Sequence, residues 1–364
     1  MELSQESAAD EVVAASTASR AIAGVLIGTA VGDAIGLPME GLSARRQQRL
    51  FPLPLRHRLL GCYGLTSDDT EHTVMLAQAL LAHPTDSVGF QRCFAWKLQW
   101  WLLSLPAGVG FATLRSILKL WLGCSPTKSG VYSAGNGPAM RSALLGVYFS
   151  KDREVLAKFV HASTIITHRD PRAEIAARAV AETAAWMAER REDVFMLIES
   201  LEALSPLPEW VSLVEKLSQS LSSMQSTSGF ASSIGAIHGV SGYAFQSVPV
   251  AVYAAIRHRE SFETALKEAI TCGGDSDTVG AITGALVGAR IGVEGVPESW
   301  RSGLAEWPRS LSFMLKLAER LARQSGTPTR LGSIAYFWPI LPLRNVLFLA
   351  IVLTHGFRRM FPPF

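Results

Sequence analysis

The chain has 364 residues, with 34 Lys plus Arg against 31 Asp plus Glu, a formal charge of +3. Hydrophobic residues make up 48% and charged residues 18%, which excludes a disordered chain and leaves a large buried core or some membrane contact. So small a charge excess, without a dense Lys/Arg block, excludes nucleic acid as a partner.

Met1–Ser19 is polar and rich in Ala and Ser; it is expected to fray, as a flexible segment 1–19, or to begin an outer helix. Ala21–Met39 is apolar but carries Asp33, and its glycines fall at Gly24, Gly28, Gly32 and Gly36. Residues four apart share one helix face, so this stripe lets another backbone approach closely. Each glycine weakens the helix by about 1 kcal/mol relative to Ala, so close packing must offset the loss. A buried central helix meets that demand better than a membrane span or a signal peptide, which would want a basic start rather than the acidic, polar Met1–Asp10.

Helical apolar spacing recurs over Thr70–Ala82, Phe90–Leu103 and Leu114–Leu122, then Ala139–Phe149, Arg153–Thr167, Arg172–Arg190 and Leu213–Met224. Ser226–Ser233 reads as a Ser/Gly-rich loop, followed by helices over Val248–Arg257 and Phe262–Thr271. Thr278–Ile291 is a second glycine-striped helix, with Gly280, Gly284, Gly288 and Gly292 four apart, and Leu311–Arg323 is amphipathic. No alternating strand pattern and no phosphate-binding loop of the Walker type appear, so the expected class is all-α, with both striped helices at the centre of one bundle. In the tail Leu331–Phe364, Pro339 and Pro342 interrupt the apolar run, and Val346–Leu353 is too short to span a bilayer. The tail 326–364 is expected to dock on the protein or on a second copy, in preference to a membrane contact. Cys62, Cys93, Cys124 and Cys272 show no CxxC spacing, so reduced thiols and a cytoplasmic location are expected.

Two short segments carry the chemistry: TSDDTEHT at Thr66–Thr73 and CGGDSDT at Cys272–Thr278. Each places two aspartates and hydroxyls before a helix. Capping requires one oxygen per helix, so two carboxylates per segment ask for more. If Asp68, Asp69, Asp275 and Asp277 converge, each like-charge pair costs about 3 kcal/mol at ~5 Å and an effective dielectric of ~20. Two hard divalent cations would reverse that sign, and the oxygen donors favour Mg²⁺, Mn²⁺ or Ca²⁺ over Zn²⁺.

These segments, together with GTAVGDAIGLPMEG (Gly28–Gly41), GNGPAMR (Gly135–Arg141) and THRDPRAE (Thr167–Glu174), resemble the ADP-ribosylglycohydrolase family, of the dinitrogenase reductase-activating type, in order along residues 20–325. The resemblance implies a single all-α domain with a two-metal site, usually Mg²⁺ and in some members Mn²⁺. It implies metal-ligand roles for Ser67, Asp68, Asp69, Asp275, Asp277 and Thr278, with Asp277 bridging. Glu40, Asp69 and Asp277 are the candidate catalytic groups, and Asp33 is given a structural role. Gly135, Asn136 and Gly137 would hold a diphosphate, His168 would contact ADP-ribose, and Tyr243 would offer an adenine platform or else simply pack in the core. His72 stands where many members carry Met. The implied activity is hydrolysis of the glycosidic bond between ADP-ribose and a protein side chain or small acceptor. The alternatives are hydrolysis of O-acetyl-ADP-ribose or a related nucleotide sugar, and a non-catalytic binding or structural role.

Overall fold

The structure is a computed structural model that describes residues 2–326 and 329–361. Met1, 327–328 and the last three residues of the tail, 362–364, lie outside the described residues. The chain opens with α1 (Glu2–Gly36), which takes up the polar segment from residue 2 onward. A 3-10 turn at Leu37–Met39 and a two-residue strand β1 (Leu42–Ser43) lead to α2 (Ala44–Leu50). A proline-rich irregular stretch reaches α3 (Asp68–Ala82), followed by α4 (Ser87–Leu103) and α5 (Phe111–Trp121). The glycine-rich loop then precedes α6 (Ala143–Tyr148), α7 (Arg153–Thr164) and α8 (Pro171–Ala188). The middle of the chain forms α9 (Val194–Glu202), α10 (Pro208–Ser222), α11 (Thr227–Ser233), α12 (Ala244–Arg257) and α13 (Phe262–Ile270). Strand β2 (Gly273–Gly274) introduces α14 (Ser276–Ile291). The remaining helices are α15 (Glu298–Ser302), α16 (Leu311–Gly326) and α17 (Leu341–Arg358). The fold is all-α, as the periodicity implies.

At its centre α1 and α14 run antiparallel with their backbones in contact. A Cβ added to Gly24, Gly28 or Gly32 would overlap the carbonyl oxygen of Gly288, Gly284 or Gly280, and one on Gly36 would overlap that of Ser276. The glycine stripes thus form one seam. Every residue of α14 is buried, and α8, α12 and α13 cover it while α16 lies along α1. Close backbone contact replaces the side-chain burial that glycine lacks.

Two sequence expectations are corrected by local chemistry. The Ser226–Ser233 stretch forms α11 rather than a loop, because the Ser226 hydroxyl accepts from the Gly229 amide at 3.1 Å and caps it. The apolar stretch of the tail runs longer than its prolines suggest: α17 has 18 residues, because Pro342 sits in its first turn, where proline starts a helix rather than stopping it. Thr17–Met39 and Trp338–Arg358 are both long and apolar enough to cross a membrane. The first is 94% buried, as a core helix should be, whereas the second is only 22% buried.

Candidate active site

The N-termini of α3 and α14 meet beside the end of α1. Asp33, fully buried on α1, binds α3 in place: its carboxylate accepts from the Ser67 amide at 2.9 Å, the Thr70 amide at 3.2 Å and the Thr70 hydroxyl at 2.6 Å. This is the structural role expected of it. Burial raises its carboxyl to about 7. Ser67 caps α3, its hydroxyl accepting from the Asp69 amide at 3.3 Å. Asp275 occupies the corresponding position before α14 but makes no such cap. Its Oδ2 accepts instead from Asn136 Nδ2 at 2.7 Å.

Glu40 is brought to Asp275 by the β1–β2 pair, in which Leu42 faces Gly274 and Ser43 faces Gly273, with Gly41 N–H donating to Gly274 O at 2.8 Å. Gly274 must be glycine, since its φ is +84° and a Cβ there would overlap the Val240 carbonyl. One pocket of about 330 Å³ joins these parts. Glu40, Ser67, Asp68, Asp275, Asp277 and Thr278 line it together with Gly135, Asn136, Gly137 and His168.

Asp69 lies beneath the lining, bonded through Oδ2 to the hydroxyls of Ser67 at 3.1 Å and Thr278 at 3.2 Å. Tyr243 does not line the pocket; its hydroxyl donates to Glu209 at 2.6 Å and Arg172 lies over its ring at 5.7 Å. The glycine loop also differs from expectation. Its helix is split into a 3-10 turn at Ala139–Arg141 and α6, and the amides of Ala139 and Met140 close onto Asn136 O at 2.8 and 3.2 Å. Those two donors are therefore already used and do not face a phosphate.

The carboxyls of Asp68, Asp69 and Asp277 are held well above the ordinary range, first by burial and then by one another and by Asp33, Asp275 and Glu40. Glu40 stands at the rim, yet the cleft still strips water from its carboxyl and Asp275 repels its charge, so it too is raised. Asp69 Oδ1 and Asp277 Oδ1 are buried with no hydrogen-bond partner. Such orphaned acceptors cost free energy unless a cation or proton meets them. Among the described residues, no three His, Cys, Asp or Glu side chains as placed enclose a point that would hold a metal ion. The donor chemistry fits hard cations all the same: all-oxygen ligands, two unpartnered carboxylate oxygens and a surplus of negative charge.

Three features add to the sequence reading, which names His168 as an ADP-ribose contact but not Arg141 or the tail helix. Arg141 is fully buried between floor and loop, donating to Gly137 O at 3.0 Å, Thr167 Oγ1 at 3.0 Å and Ser163 O at 3.1 Å. Its one signal was a charge within GNGPAMR. His168 lies against Gly135 and Gly137, with Nδ1 2.9 Å from Thr167 Oγ1, and burial followed by the Arg141 charge lowers it to about 3. The third feature is the wall supplied by α17. Phe348 and Val352 complete the pocket beside Leu37 and Phe111. Behind them buried Arg344 donates to Thr66 O at 2.8 Å and to Glu306 at 2.5 and 3.1 Å, and stands 3.5 Å from Glu71. The same helix reaches the Glu40 segment through Arg359, whose guanidinium donates to Glu40 O at 2.6 Å, and through His355 Nε2, 3.0 Å from Pro38 O.

The fold and this carboxylate-lined pocket define a class of hydrolase. The family model for ADP-ribosylglycohydrolase matches residues 14–330, and the chain belongs to that family. It is 26% identical to the ADP-ribosyl-[dinitrogen reductase] glycohydrolase of Rhodospirillum rubrum over 81% of this chain and 95% of that one. It is 30% identical to the ADP-ribosylhydrolase ARH3 of Bos taurus over 76% of this chain and 87% of that one. A solved structure described as an ADP-ribosylglycohydrolase-related protein complex superposes with a TM-score of 0.63 at 26% identity, covering 85% of this chain and 99% of the other. The chain is thus a hydrolase of ADP-ribose linkages, and α17 lies beyond the matched residues.

Proposed function

We propose that the protein is a divalent-cation-dependent hydrolase that cleaves the bond between the anomeric carbon of ADP-ribose and a protein side chain or small acceptor. The observation that carries this reading is the pair of buried, unpartnered oxygens on Asp69 and Asp277 at a pocket lined by four carboxylates, Glu40, Asp68, Asp275 and Asp277. Ser67, Asp68, Asp69, Asp275, Asp277 and Thr278 would hold two cations, Mg²⁺ or Mn²⁺, which supply Lewis acidity toward the ribose hydroxyls and a lowered pKa for water. Asn136 orients Asp275 through its 2.7 Å hydrogen bond. Glu40 faces the pocket with a raised pKa, the property of a group that holds a proton for the departing acceptor and takes one from water. The glycine loop and His168, neutral at physiological pH, line the same pocket next to Asp275, where the diphosphate would lie.

The test is release of free ADP-ribose from arginine-linked and serine-linked ADP-ribosyl peptides and from O-acetyl-ADP-ribose, each with Mg²⁺, Mn²⁺ or chelator. Release with a divalent cation and its loss on chelation are expected. Asp277→Ala should lower the rate about 10³-fold, or ~4 kcal/mol in the barrier, while the circular dichroism spectrum is unchanged. Release that is indifferent to chelator, or a fully active Asp277→Ala variant, would overturn the reading.

A further inference from the structure

Helix α17 is apolar on both sides, with Leu341 and Phe348 buried on its inner face. Its polar residues Arg344 and Asn345 are buried, the latter donating from Nδ2 to Ser104 O at 2.8 Å. Five further apolar residues face outward: Leu343 is 65% exposed, Val346 53%, Leu347 51%, Leu353 63% and Phe357 59%. A helix that ends its folding against the protein's own surface normally turns charged and polar residues, not a second apolar stripe, to the outside. An exposed apolar stripe along an 18-residue helix, about 27 Å long, marks a surface that meets something apolar.

The two ends of the helix indicate what that is. At its N-terminal end four tryptophans form a chain of ring contacts. Trp96 and Trp100 are 5.7 Å apart, Trp100 and Trp121 6.3 Å, and Trp100 and Trp338 5.7 Å. All four are partly or largely exposed, Trp96 at 57% and Trp121 at 45%. Tryptophan clusters of this kind sit at the level of lipid headgroups. At the C-terminal end a groove of about 830 Å³ has apolar residues such as Phe51 and Ile351 on its base and Arg56, Arg58, Arg358 and Arg359 on its walls. Arg45 and Arg49 on nearby α2 are exposed as well, and Arg46 donates to Arg359 O at 2.9 Å. No Asp or Glu occurs in residues 41–66 or 320–364. An apolar groove ringed by arginines takes an anionic headgroup with a hydrocarbon tail.

We propose that the outer face of α17, with its tryptophan and arginine ends, docks the protein on an anionic lipid bilayer, the helix lying in the plane of the interface. A second copy of the chain would bury the apolar stripe but would bring no carboxylate from these segments to meet the arginines. A membrane-crossing helix would have to carry Arg344 and Asn345 out of their buried partners and into hydrocarbon, which is costly. Lipid satisfies the stripe, the tryptophans and the arginines together. Since Phe348 and Val352 on the inner side of α17 wall the catalytic pocket, docking would hold that pocket about one helix diameter from the lipid surface.

The test is co-sedimentation of the full chain with 100 nm vesicles of pure phosphatidylcholine and of phosphatidylcholine with one part in four phosphatidylglycerol, at 0.1 and 0.5 M NaCl, beside sedimentation equilibrium without lipid. At least tenfold stronger binding to the anionic vesicles, weakened severalfold by salt, is expected. The triple variant Leu347→Ser, Leu353→Ser, Phe357→Ser should lose tenfold or more in vesicle binding. Arg56→Ser with Arg358→Ser should lose the preference for phosphatidylglycerol. Neither variant touches the pocket lining, so ADP-ribose release from a soluble substrate reports that each is folded. The proposal is overturned by absence of binding to both vesicles or by bound protein that only detergent extracts. A dimer that the triple variant dissociates, without vesicle binding by the wild type, overturns it too.

Discussion

The floor and the wall of the pocket are built by opposite means. The floor stands on α1 and α14, which meet backbone to backbone along glycines and leave no room for a single added carbon. Its carboxylates are raised by burial and by one another, and two of their oxygens have no partner. The wall, α17, is held by buried ion pairs, although Glu71 Oε1 and Arg309 Nε and Nη1 beside them have no hydrogen-bond partner. Arg344 meets Glu306, Glu71 and Thr66 O, and Glu71 is also met by Arg309 at 3.1 Å and by Trp101 Nε1 at 2.5 Å. The rigid scaffold therefore carries carboxylates that face one another, as a site that awaits a charged ligand should, while the helix beyond the family's matched residues is held where carboxylates face cations. Steric contact fixes the first region and electrostatics the second.

That contrast breaks first at Arg344. Arg344→Ala leaves Glu306 and Glu71, both at most 4% exposed, without one of their cations, and the loss expected is about 3–5 kcal/mol in urea unfolding. A loss below about 1 kcal/mol would show α17 to be a loose attachment and the wall to be incidental. Gly284→Val tests the floor. The added carbons meet the Gly28 carbonyl, which cannot rotate away, so α1 and α14 must separate at an expected cost of about 2–3 kcal/mol. Because the seam aligns the two acidic segments, ADP-ribose release should fall even where the variant stays folded. Unchanged stability and activity would mean that the seam is not what positions the floor.

How much of this could be read beforehand follows from the same division. The seam was legible because glycines four apart mark a face, and two faces of that kind imply each other. The acidic segments were legible because paired aspartates before a helix exceed what a cap uses. Arg344 was not, since its partner Thr66 O lies 278 residues away and no local period announces it. Nor was the length of α17, since Pro339 and Pro342 looked like interruptions and Pro342 proved to be in the first helical turn. Tyr243 shows the second of the two roles read for it: its backbone pairs with Gly135 beside the loop, while its ring packs against the core and its hydroxyl meets Arg172 and Glu209. Spacing fixes which face a residue shares and leaves open which way a loop side chain points.

The smallest effect concerns the sign of the pH response. Asp33 has a folded pKa of about 7 against an ordinary value of 3.8, so the native state binds the extra proton and this group's contribution falls as pH rises through that window. His168 acts the other way. Its folded pKa of about 3 lies below the ordinary 6.5, so the unfolded chain binds the proton and stability is lost as pH falls below 6.5. His168→Gln removes that term and leaves the carboxylates. Between about pH 6 and 4 the stability of the native protein relative to the variant should therefore decline by about 1.4 kcal/mol per pH unit, measured by urea unfolding in chelator. A difference that stays flat over this range would place His168 in contact with water, and with it would go the closed, neutral part of the lining beside the acidic floor.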